Sequence, residues 1–243
     1  MPEEIAPREV YGSTLVELGR ENKSIVALDA DVAGSTMTSM FKKAFPERFI
    51  EVGIAEANMM GIAAGLAANG KIPFASTFAV FATSRCFDQI RVSIALAHLN
   101  VKIVATHAGL TVGEDGASHQ ALEDLALTCS LPGFTVIVPA DGIETAQVIR
   151  AIAALDGPCY VRLPRGKVPQ ICAADYKFEI GKAYEMQPGK DAAIMAIGVM
   201  TAPALEAAAA LAKENINCRV LNMASLKPID EAAVIRAAQE TGA

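Results

Sequence analysis

Several residues that could do chemistry lie directly after short apolar segments that predict strands. Asp31, Glu56, Phe78, His107 and Arg165 occupy such positions. In an open parallel sheet, the carboxyl ends of the strands meet at one edge, and ligands bind there. Carboxyl and imidazole groups can move protons, and a guanidinium group binds oxyanions. We therefore expect acidic, aromatic, imidazole and guanidinium side chains to converge on one edge of a sheet.

A glycine-rich loop follows the fourth predicted strand and carries two of the three histidines of the chain. Its sequence, THAGLTVGEDGASHQ, runs from residue 106 to residue 120 and contains His107, Asp115 and His119. Loops of this length and composition are more often functional than structural. The loop therefore adds a third acid, Asp115, and a second imidazole, His119, to the same sheet edge.

Each candidate also has a purely structural explanation. Glu56 suits the first turn of a helix, where the macrodipole favours an acid. Phe78 and Phe81 have the i, i+3 spacing of core residues on a helix. His107 at a strand end fits a buried imidazole that plays no chemical role. Turn or surface positions would equally explain two further charged residues, Asp115 and Arg165. Taken singly, none of these residues decides the function.

Short β-branched segments alternate along the chain with longer segments of helical period, which is typical of parallel βα units. The predicted strands are 25–28, 49–52, 72–76, 101–106, 135–138 and 159–163. The predicted helices are 8–22, 36–45, 56–69, 79–98, 119–128 and 141–155. Asp141 and Glu144 have the spacing of a capping box at the start of the last helix. The pattern predicts an α/β domain with a parallel sheet over residues 1–165.

The segment 166–190 is rich in proline, glycine and charge, and we predict that it is a linker between domains. Beyond it, predicted strands 192–197 and 218–224 alternate with predicted helices 201–215 and 230–240. Two strands are too few for a stable parallel sheet with both faces covered. We therefore expect 191–243 to be an incomplete α/β domain, or one that another chain completes.

Composition excludes several classes of function. The 243 residues carry a net charge of −6 without a block of Lys or Arg, which argues against nucleic acid or an anionic membrane as a partner. Five cysteines without a CxxC pattern indicate reduced thiols and no structural zinc site. The chain lacks an apolar leader and an unbroken apolar run long enough to span a bilayer. These features predict a soluble, cytoplasmic protein without a metal site of its own.

Three segments together resemble the pyrimidine-binding half of transketolase: EVGIAEANMMGIAAGLA, FASTFAVFATSRCFDQIR and THAGLTVGEDGASHQALEDLA. The resemblance extends from about residue 8 to the end of the chain and is greatest to the C-terminal subunit of split, two-chain transketolases. It implies a pyrimidine-binding domain with a parallel sheet, followed by a C-terminal α/β domain. That domain continues through further strands in the family, so we expect it to be truncated here.

In this family thiamine diphosphate lies between two domains, and the resemblance implies the same arrangement here. Glu56 matches the glutamate that hydrogen-bonds the aminopyrimidine ring and promotes activation of the cofactor. Phe78 and Phe81 match the aromatic pocket for that ring, with Ser84 in place of a third aromatic. Asp31 matches a carboxylate near the thiazole ring. The sequence lacks the GDG motif that holds Mg²⁺ and the diphosphate, which implies an N-terminal diphosphate-binding transketolase subunit as partner.

The resemblance also implies a substrate site for sugar phosphates. Asp115 and His119 match residues that contact the hydroxyl and carbonyl oxygens of the donor sugar, so they join Glu56 as implied catalytic residues. A guanidinium pair with a hydroxyl and an imidazole forms a suitable cradle for a terminal phosphate. The residues that match this cradle are Arg8, Ser35, His107 and Arg165.

These implications lead to one preferred function and two alternatives. The preferred function is transfer of a two-carbon ketol unit between sugar phosphates, by a heterotetramer with two copies of each subunit. The first alternative is another thiamine-diphosphate enzyme, similar to 1-deoxyxylulose-5-phosphate synthase or to the β subunit of a 2-oxoacid dehydrogenase. The second is a non-catalytic assembly module that keeps the fold.

Overall fold

The computed structural model describes residues 3–242. Its strands are β1 Glu4–Ile5, β2 Ile25–Asp29, β3 Phe49–Glu51, β4 Ile72–Ser76, β5 Lys102–Ala105, β6 Thr135–Ile137, β7 Cys159–Arg162, β8 Val168–Pro169, β9 Tyr184–Gln187, β10 Ala192–Ala196, β11 Cys218–Asn222 and β12 Ser225–Lys227. Its α-helices are α1 Pro7–Glu21, α2 Ala33–Thr36, α3 Ser39–Ala44, α4 Glu56–Ala68, α5 Ala79–Ser84, α6 Phe87–Gln89, α7 Asp124–Ser130, α8 Gly142–Ala154, α9 Thr201–Ala212 and α10 Glu231–Glu240. Over the described residues, none of these helices has the length and apolar character needed to cross a membrane.

Within residues 3–242, seven strands form the main sheet, in the order β3–β2–β4–β5–β7–β6–β12. All neighbouring strands from β3 to β6 are parallel, and only β12 at the far edge is antiparallel. Asp29 at the end of β2 lies beside Glu51 of β3 and Ser76 of β4. Just beyond the strand ends, Phe78 forms a bridge with Thr106. The predicted parallel sheet is confirmed, and the strands that precede the candidate residues end at one edge.

Helices cover both faces of this sheet because its strands are apolar on both sides, as parallel strands require. Val26 and Leu28 of β2 face one core, to which α4 contributes Met59 and Met60. The alternate residues of β2 face the opposite core, which α1, α3 and α8 cover with side chains that include Leu15, Phe41 and Ile149. The two cores hold the strands in place and leave the carboxyl edge free for the connecting loops.

The helix predicted over 36–45 is broken in the structure. Met37 lies between α2 and α3 with a φ of +69°, in the left-handed region. On either side of it, the hydroxyls of Thr36 and Thr38 donate to the buried carboxylate of Asp29, at 2.6 and 2.8 Å. These two hydrogen bonds hold the chain in a turn because both hydroxyls point toward the sheet, which a continuous helix would not allow.

Two further predicted helices differ from the structure. The segment predicted as one helix over 79–98 consists of α5, α6 and a π-helical turn Ile90–Ala95. Cys86 leaves the helical region between α5 and α6, and its thiol donates to the carbonyl of Phe81 at 3.3 Å. The helix predicted over 119–128 begins at Asp124, whose carboxylate is held at 2.8 Å by the Tyr160 hydroxyl and at 2.8 Å by Arg162. His119 therefore lies in a short 3₁₀ turn before that helix.

The C-terminal unit contains a smaller sheet with β11 at its centre. β10 pairs parallel to β11, β9 pairs antiparallel to it, and α9 and α10 pack on opposite faces. The predicted strands and helices of this unit are present in the structure. The prediction of a linker over 166–190 differs from the structure, because the last part of this segment forms β9. The short, half-exposed sequence Tyr-Glu-Met-Gln of β9 lacks the apolar pattern of a buried strand.

A buried polar cluster and strand β12 connect the two units. Glu144 near the start of α8 accepts hydrogen bonds from the Tyr176 hydroxyl and from the Asn222 side chain at 2.9 Å. Burial raises the pKa of Glu144 above its ordinary value. Asp141 caps α8 by accepting from the Glu144 backbone N–H at 2.9 Å, as its spacing predicts. Residues from α8, the connecting segment and β11 therefore share one carboxylate.

Candidate active site

Glu56 is the first residue of α4, and its side chain is buried, with 5% of its surface exposed. No side chain caps this helix, so the carboxylate lies next to the partial positive charge of the helix N-terminus. Its Oε1 accepts a hydrogen bond from Nη1 of Arg85 at 3.0 Å. A buried carboxylate with a single charged partner can accept a further hydrogen bond from a ligand.

Four rings form a cluster at the carboxyl ends of β4 and β5. The rings of Phe78 and Phe81 are stacked with centroids 6.0 Å apart, and the His107 ring stacks on Phe78 at 3.9 Å. His119 meets both phenyl rings edge-on, at 6.0 Å from Phe78 and 5.0 Å from Phe81. The Arg85 guanidinium lies over the Phe81 ring, with Cζ 4.1 Å from the centroid. The cluster offers flat aromatic surfaces beside the Glu56 carboxylate.

His107 is buried and has a φ of +59° at the end of β5. Its Nδ1 lies 2.9 Å from the Thr106 hydroxyl, a distance that permits a hydrogen bond in either direction. Burial, with the nearby positive charges of Arg8 and Arg165, lowers the pKa of His107 to about 4. The imidazole is therefore neutral at physiological pH, and it can both donate and accept a hydrogen bond.

A cavity of about 230 Å³ is lined by two arginines and a lysine, and both arginines are close enough to His107 to lower its pKa. Arg8 donates from Nη1 to the Ser35 carbonyl at 2.7 Å, while its buried Nε has no hydrogen-bond partner among the described residues. The residues that line the cavity are Ala6, Arg8, Glu9, Arg165, Gly166 and Lys167. An unpartnered guanidinium N–H and three cationic groups around one cavity suit an oxyanion.

The glycine-rich loop passes over Arg165. Gly113 has a φ of +77°, and a Cβ atom there would lie only 2.6 Å from Nη1 of Arg165. The neighbouring Glu114 carboxylate accepts a hydrogen bond from Nη2 of the same arginine at 3.4 Å. Gly113 is thus the residue that lets the loop approach the guanidinium group. Asp115 ends the 3₁₀ turn that Gly113 begins, and His119 ends the next one.

The loop after β2 is held by Asp29, which is fully buried. Its Oδ1 accepts from the backbone N–H of Val32 at 2.7 Å, while its Oδ2 accepts from the two threonine hydroxyls. Burial raises the pKa of Asp29 to about 6. Asp31 has a φ of +63°, and its backbone N–H donates to Oε1 of Glu51 at 2.8 Å. Asp29 therefore sets the course of the loop that carries Asp31 and Ser35.

The predicted site residues form two connected groups. Asp115 is coupled electrostatically to His107, and Asp31 lies outside both groups. Ring contacts and electrostatic coupling connect the first group, Glu56 through Arg85 to Phe81, Phe78, His107 and His119. In the second group, Arg8 and Arg165 line the cavity. Ser35 joins them through its backbone carbonyl, which accepts from Arg8, and His107 through its electrostatic coupling to both arginines. Within residues 3–242, the carboxylates of Asp31 and Asp115 accept no hydrogen bond, so both remain open toward the edge of the site.

Sequence reasoning missed Arg85 and Lys167. Arg85 follows Phe81 by four residues, a spacing that brings a guanidinium and a ring together on one helical face, so the signal was present. Lys167 carried no comparable signal, because only the fold places it beside Arg8. Among the described residues, no three His, Cys, Asp or Glu side chains form a cluster suited to a metal ion.

Comparison with known proteins gives the family. A family model described as transketolase, pyrimidine binding domain, matches residues 3–170, and one described as transketolase, C-terminal domain, matches residues 181–243. The chain belongs to the transketolase family. It corresponds to the C-terminal section of a transketolase, with the pyrimidine-binding domain followed by the C-terminal domain, as the sequence predicts.

Relatives include both short and full-length transketolases. A putative transketolase C-terminal section from Methanocaldococcus jannaschii is 50% identical over 92% of this chain and 72% of its own length. A protein from Clostridium sp. named 6-deoxy-6-sulfo-D-fructose transketolase subunit is 43% identical over 97% of this chain and 73% of its own length. Human transketolase is 42% identical over 98% of this chain, which spans only 38% of that protein.

A solved structure described as a split gene transketolase, inactive β4 tetramer, matches with a TM-score of 0.92 at 56% identity. The match covers 99% of this chain and 79% of the solved chain. A transketolase from Campylobacter jejuni matches with a TM-score of 0.88 at 27% identity, over 97% of this chain and 38% of the other. The transketolase fold is therefore present in the short and in the full-length forms.

Transketolases are thiamine-diphosphate enzymes, and the residues of this chain fit one end of that cofactor. A planar ring with N–H donors requires flat apolar surfaces and a carboxylate acceptor, and Phe78, Phe81 and the buried Glu56 supply them. Arg85, which is planar and rich in N–H groups, already makes both types of contact here. Glu56, Phe78 and Phe81 therefore fit the aminopyrimidine ring of thiamine diphosphate.

Proposed function

We propose that this chain provides the pyrimidine-binding half of a two-chain transketolase, which transfers a two-carbon ketol unit between sugar phosphates. The observation that supports this most is the buried Glu56 carboxylate beside the stacked Phe78 and Phe81 rings. A diphosphate-binding partner subunit holds Mg²⁺ and the diphosphate group, and two copies of each chain form the active assembly. The solved relative described as an inactive β4 tetramer supports a need for such a partner.

Glu56 and the two phenylalanines hold and orient the aminopyrimidine ring. Glu56 lies at a helix N-terminus and away from water, so its hydrogen bond to the ring is strengthened by a low local dielectric. Phe78 and Phe81 contact the ring and exclude water from this bond. When bound, the cofactor supplies the carbon nucleophile that accepts the ketol unit. The chain's own contribution is the position of that ring and the hydrogen bond that the Glu56 carboxyl group makes to it.

His119 and Asp115 act on the sugar. The Ser118 hydroxyl lies 2.9 Å from Nδ1 of His119 and fixes the orientation of the ring, so the other nitrogen can exchange a proton with a substrate oxygen. The open carboxylate of Asp115 accepts a hydrogen bond from a sugar hydroxyl. Both residues belong to one loop, in two successive 3₁₀ turns.

The cavity beside His107 binds the terminal anion of the substrate. Arg8 and Arg165 supply positive charge, and the uncharged imidazole of His107 supplies a further hydrogen bond. A terminal phosphate fits this set. A terminal sulfonate also has three oxygens and a negative charge, and the Clostridium relative is named for a sulfo-sugar. The two anions define two substrate classes for the same site.

The test is ketol transfer from xylulose 5-phosphate to ribose 5-phosphate, with thiamine diphosphate and Mg²⁺, by the chain alone and with its diphosphate-binding subunit. We expect activity only in the mixture. Glu56→Gln should lower kcat by about 100-fold to 10,000-fold, the usual range for loss of a positioned acid or base. The matched control is Glu47→Gln, because Glu47 is exposed and lies away from the site.

A donor panel separates the other functions. Sulfo-sugar donors used in preference to phosphorylated ones would identify the second substrate class. Turnover of pyruvate with glyceraldehyde 3-phosphate, or of a 2-oxoacid with lipoamide, would reassign the chain to another thiamine-diphosphate enzyme. A complex that forms and turns over no donor would indicate an assembly module. Equal activity of Glu56→Gln and wild type would contradict the role of Glu56.

A further inference from the structure

Arg85 contacts two residues of the proposed pyrimidine site at once. Its Nη1 donates to Oε1 of the buried Glu56 at 3.0 Å, and its Cζ lies 4.1 Å from the centroid of the Phe81 ring. The Arg85 side chain itself is 52% exposed, whereas the Glu56 side chain is 5% exposed. The guanidinium group therefore reaches from the protein surface into the slot between a buried acid and a ring.

A guanidinium group and an aminopyrimidine ring are recognised by the same chemistry. Both are planar, both present N–H donors in that plane to a carboxylate, and both stack on an aromatic face. The Glu56 oxygen that Arg85 uses, and the Phe81 surface that it covers, are those that the proposed cofactor contact requires. The two groups compete for the same atoms, so they exclude each other.

We propose that Arg85 is an internal occupant of the pyrimidine slot, which the cofactor must displace when it binds. This inference rests on the proposed function of the site. Arg85 lies at the junction where α5 ends and before α6 begins, and half of its side chain is already in solvent. It can therefore rotate outward without disturbing either helix. While it is in place, it neutralises the buried carboxylate and covers the Phe81 ring.

The competition lowers the apparent affinity of the chain for its cofactor. The apparent Kd equals the intrinsic Kd divided by the fraction of molecules in which Arg85 has left the slot. Because the guanidinium is half exposed, its ion pair is screened by solvent and its occupancy is only moderately favourable. We expect removal of the side chain at residue 85 to tighten cofactor binding by about threefold to tenfold.

The experiment is a calorimetric titration of thiamine diphosphate, with Mg²⁺ in excess, into the assembled complex of this chain and its diphosphate-binding subunit. The variants are Arg85→Ala, Arg85→Met, which keeps the length without the charge, and Arg85→Lys, which keeps the charge without the plane. Arg91→Ala is the matched control, because among the described residues the Arg91 side chain pairs only with exposed Asp88. We expect tighter binding for Ala and Met, an intermediate value for Lys, and no change for Arg91→Ala.

The salt dependence of cofactor binding provides an independent test. The ion pair weakens at 0.5 M NaCl because the Debye length falls to roughly 4 Å, so the difference in Kd between wild type and Arg85→Ala should shrink there. Binding by Arg85→Ala and Arg85→Met that is equal to or weaker than that of wild type would overturn the displacement model. Absence of binding by wild type would instead overturn the proposed function of the site. The two failures are therefore distinguishable.

Discussion

Asp29→Asn tests whether a buried carboxylate below the active-site loop is a source of instability at neutral pH. Asp29 is fully buried and accepts from Val32 N–H and from the hydroxyls of Thr36 and Thr38. Asparagine keeps the oxygen that Val32 needs and turns a hydrogen-bond acceptor into a donor toward the two hydroxyls, which can accept. The substitution therefore removes the titrating group while it keeps the shape of the turn.

The size of the expected change in unfolding free energy follows from the pKa of Asp29. Burial raises the pKa of Asp29 from 3.8 to about 6, a shift of about two units, and each unit corresponds to about 1.4 kcal/mol. Folding favours the protonated acid, so its stabilising effect is complete below about pH 4 and is lost as the pH rises through 6. Relative to the asparagine variant, wild type should lose about 3 kcal/mol of unfolding free energy between pH 4 and pH 7.

The assay is urea unfolding of both proteins at intervals from pH 4 to pH 8, followed by circular dichroism. The difference in unfolding free energy between variant and wild type should grow with pH up to about 6 and then remain constant. Asp88→Asn serves as the control, because it makes the same substitution at an exposed carboxylate whose ion pair is screened by solvent. A flat difference for Asp29→Asn would refute the assignment of a raised pKa to this carboxyl.

Two further predictions concern the substrate loop and the junction of the units. Gly113→Ala would place a Cβ atom 2.6 Å from Arg165 and strain a backbone φ of +77°. Steady-state kinetics should therefore show a KM for phosphorylated donors that is at least tenfold higher, with a smaller change in kcat. An unchanged KM would contradict the packing of the loop on Arg165. Tyr176→Phe removes a buried donor to Glu144 and should lower the unfolding free energy by about 1–3 kcal/mol, measured by urea unfolding. Tyr184→Phe, which changes an exposed hydroxyl, should have no effect, and equal losses in the two variants would contradict the role of the buried bond.

The sheet edge was predictable from sequence because its signal is local and repeated. Each strand of the first domain is a short apolar segment, and the residue types after each strand are those that bind ligands. The rule that parallel strands end together then brings Glu56, Phe78 and His107 to one place, and the structure does bring them there. Neither step needs knowledge of how the helices pack.

The remaining features depend on tertiary contacts that leave no periodic pattern. The break at Met37 exists because Asp29, on a different element, binds the hydroxyls on both sides of it. The late start of α7 depends on Tyr160 and Arg162, which are distant in sequence from Asp124. Strand β9 is polar and half-exposed, so its own sequence does not predict a strand. Its pairing with β11 identifies it as one. In each case a hydrogen bond to a different element overrides the local propensity.

The main sheet is complete only after strand β12, near the end of the chain, has been synthesised. β6 is the outermost parallel strand, and β12, which belongs to the C-terminal unit, pairs with its other side. Until the ribosome has released residues 225–227, the hydrogen-bonding groups along β6 remain exposed as an open edge. An open strand edge is a site for pairing with other chains. The nascent first domain therefore remains vulnerable to aggregation until most of the second unit has emerged.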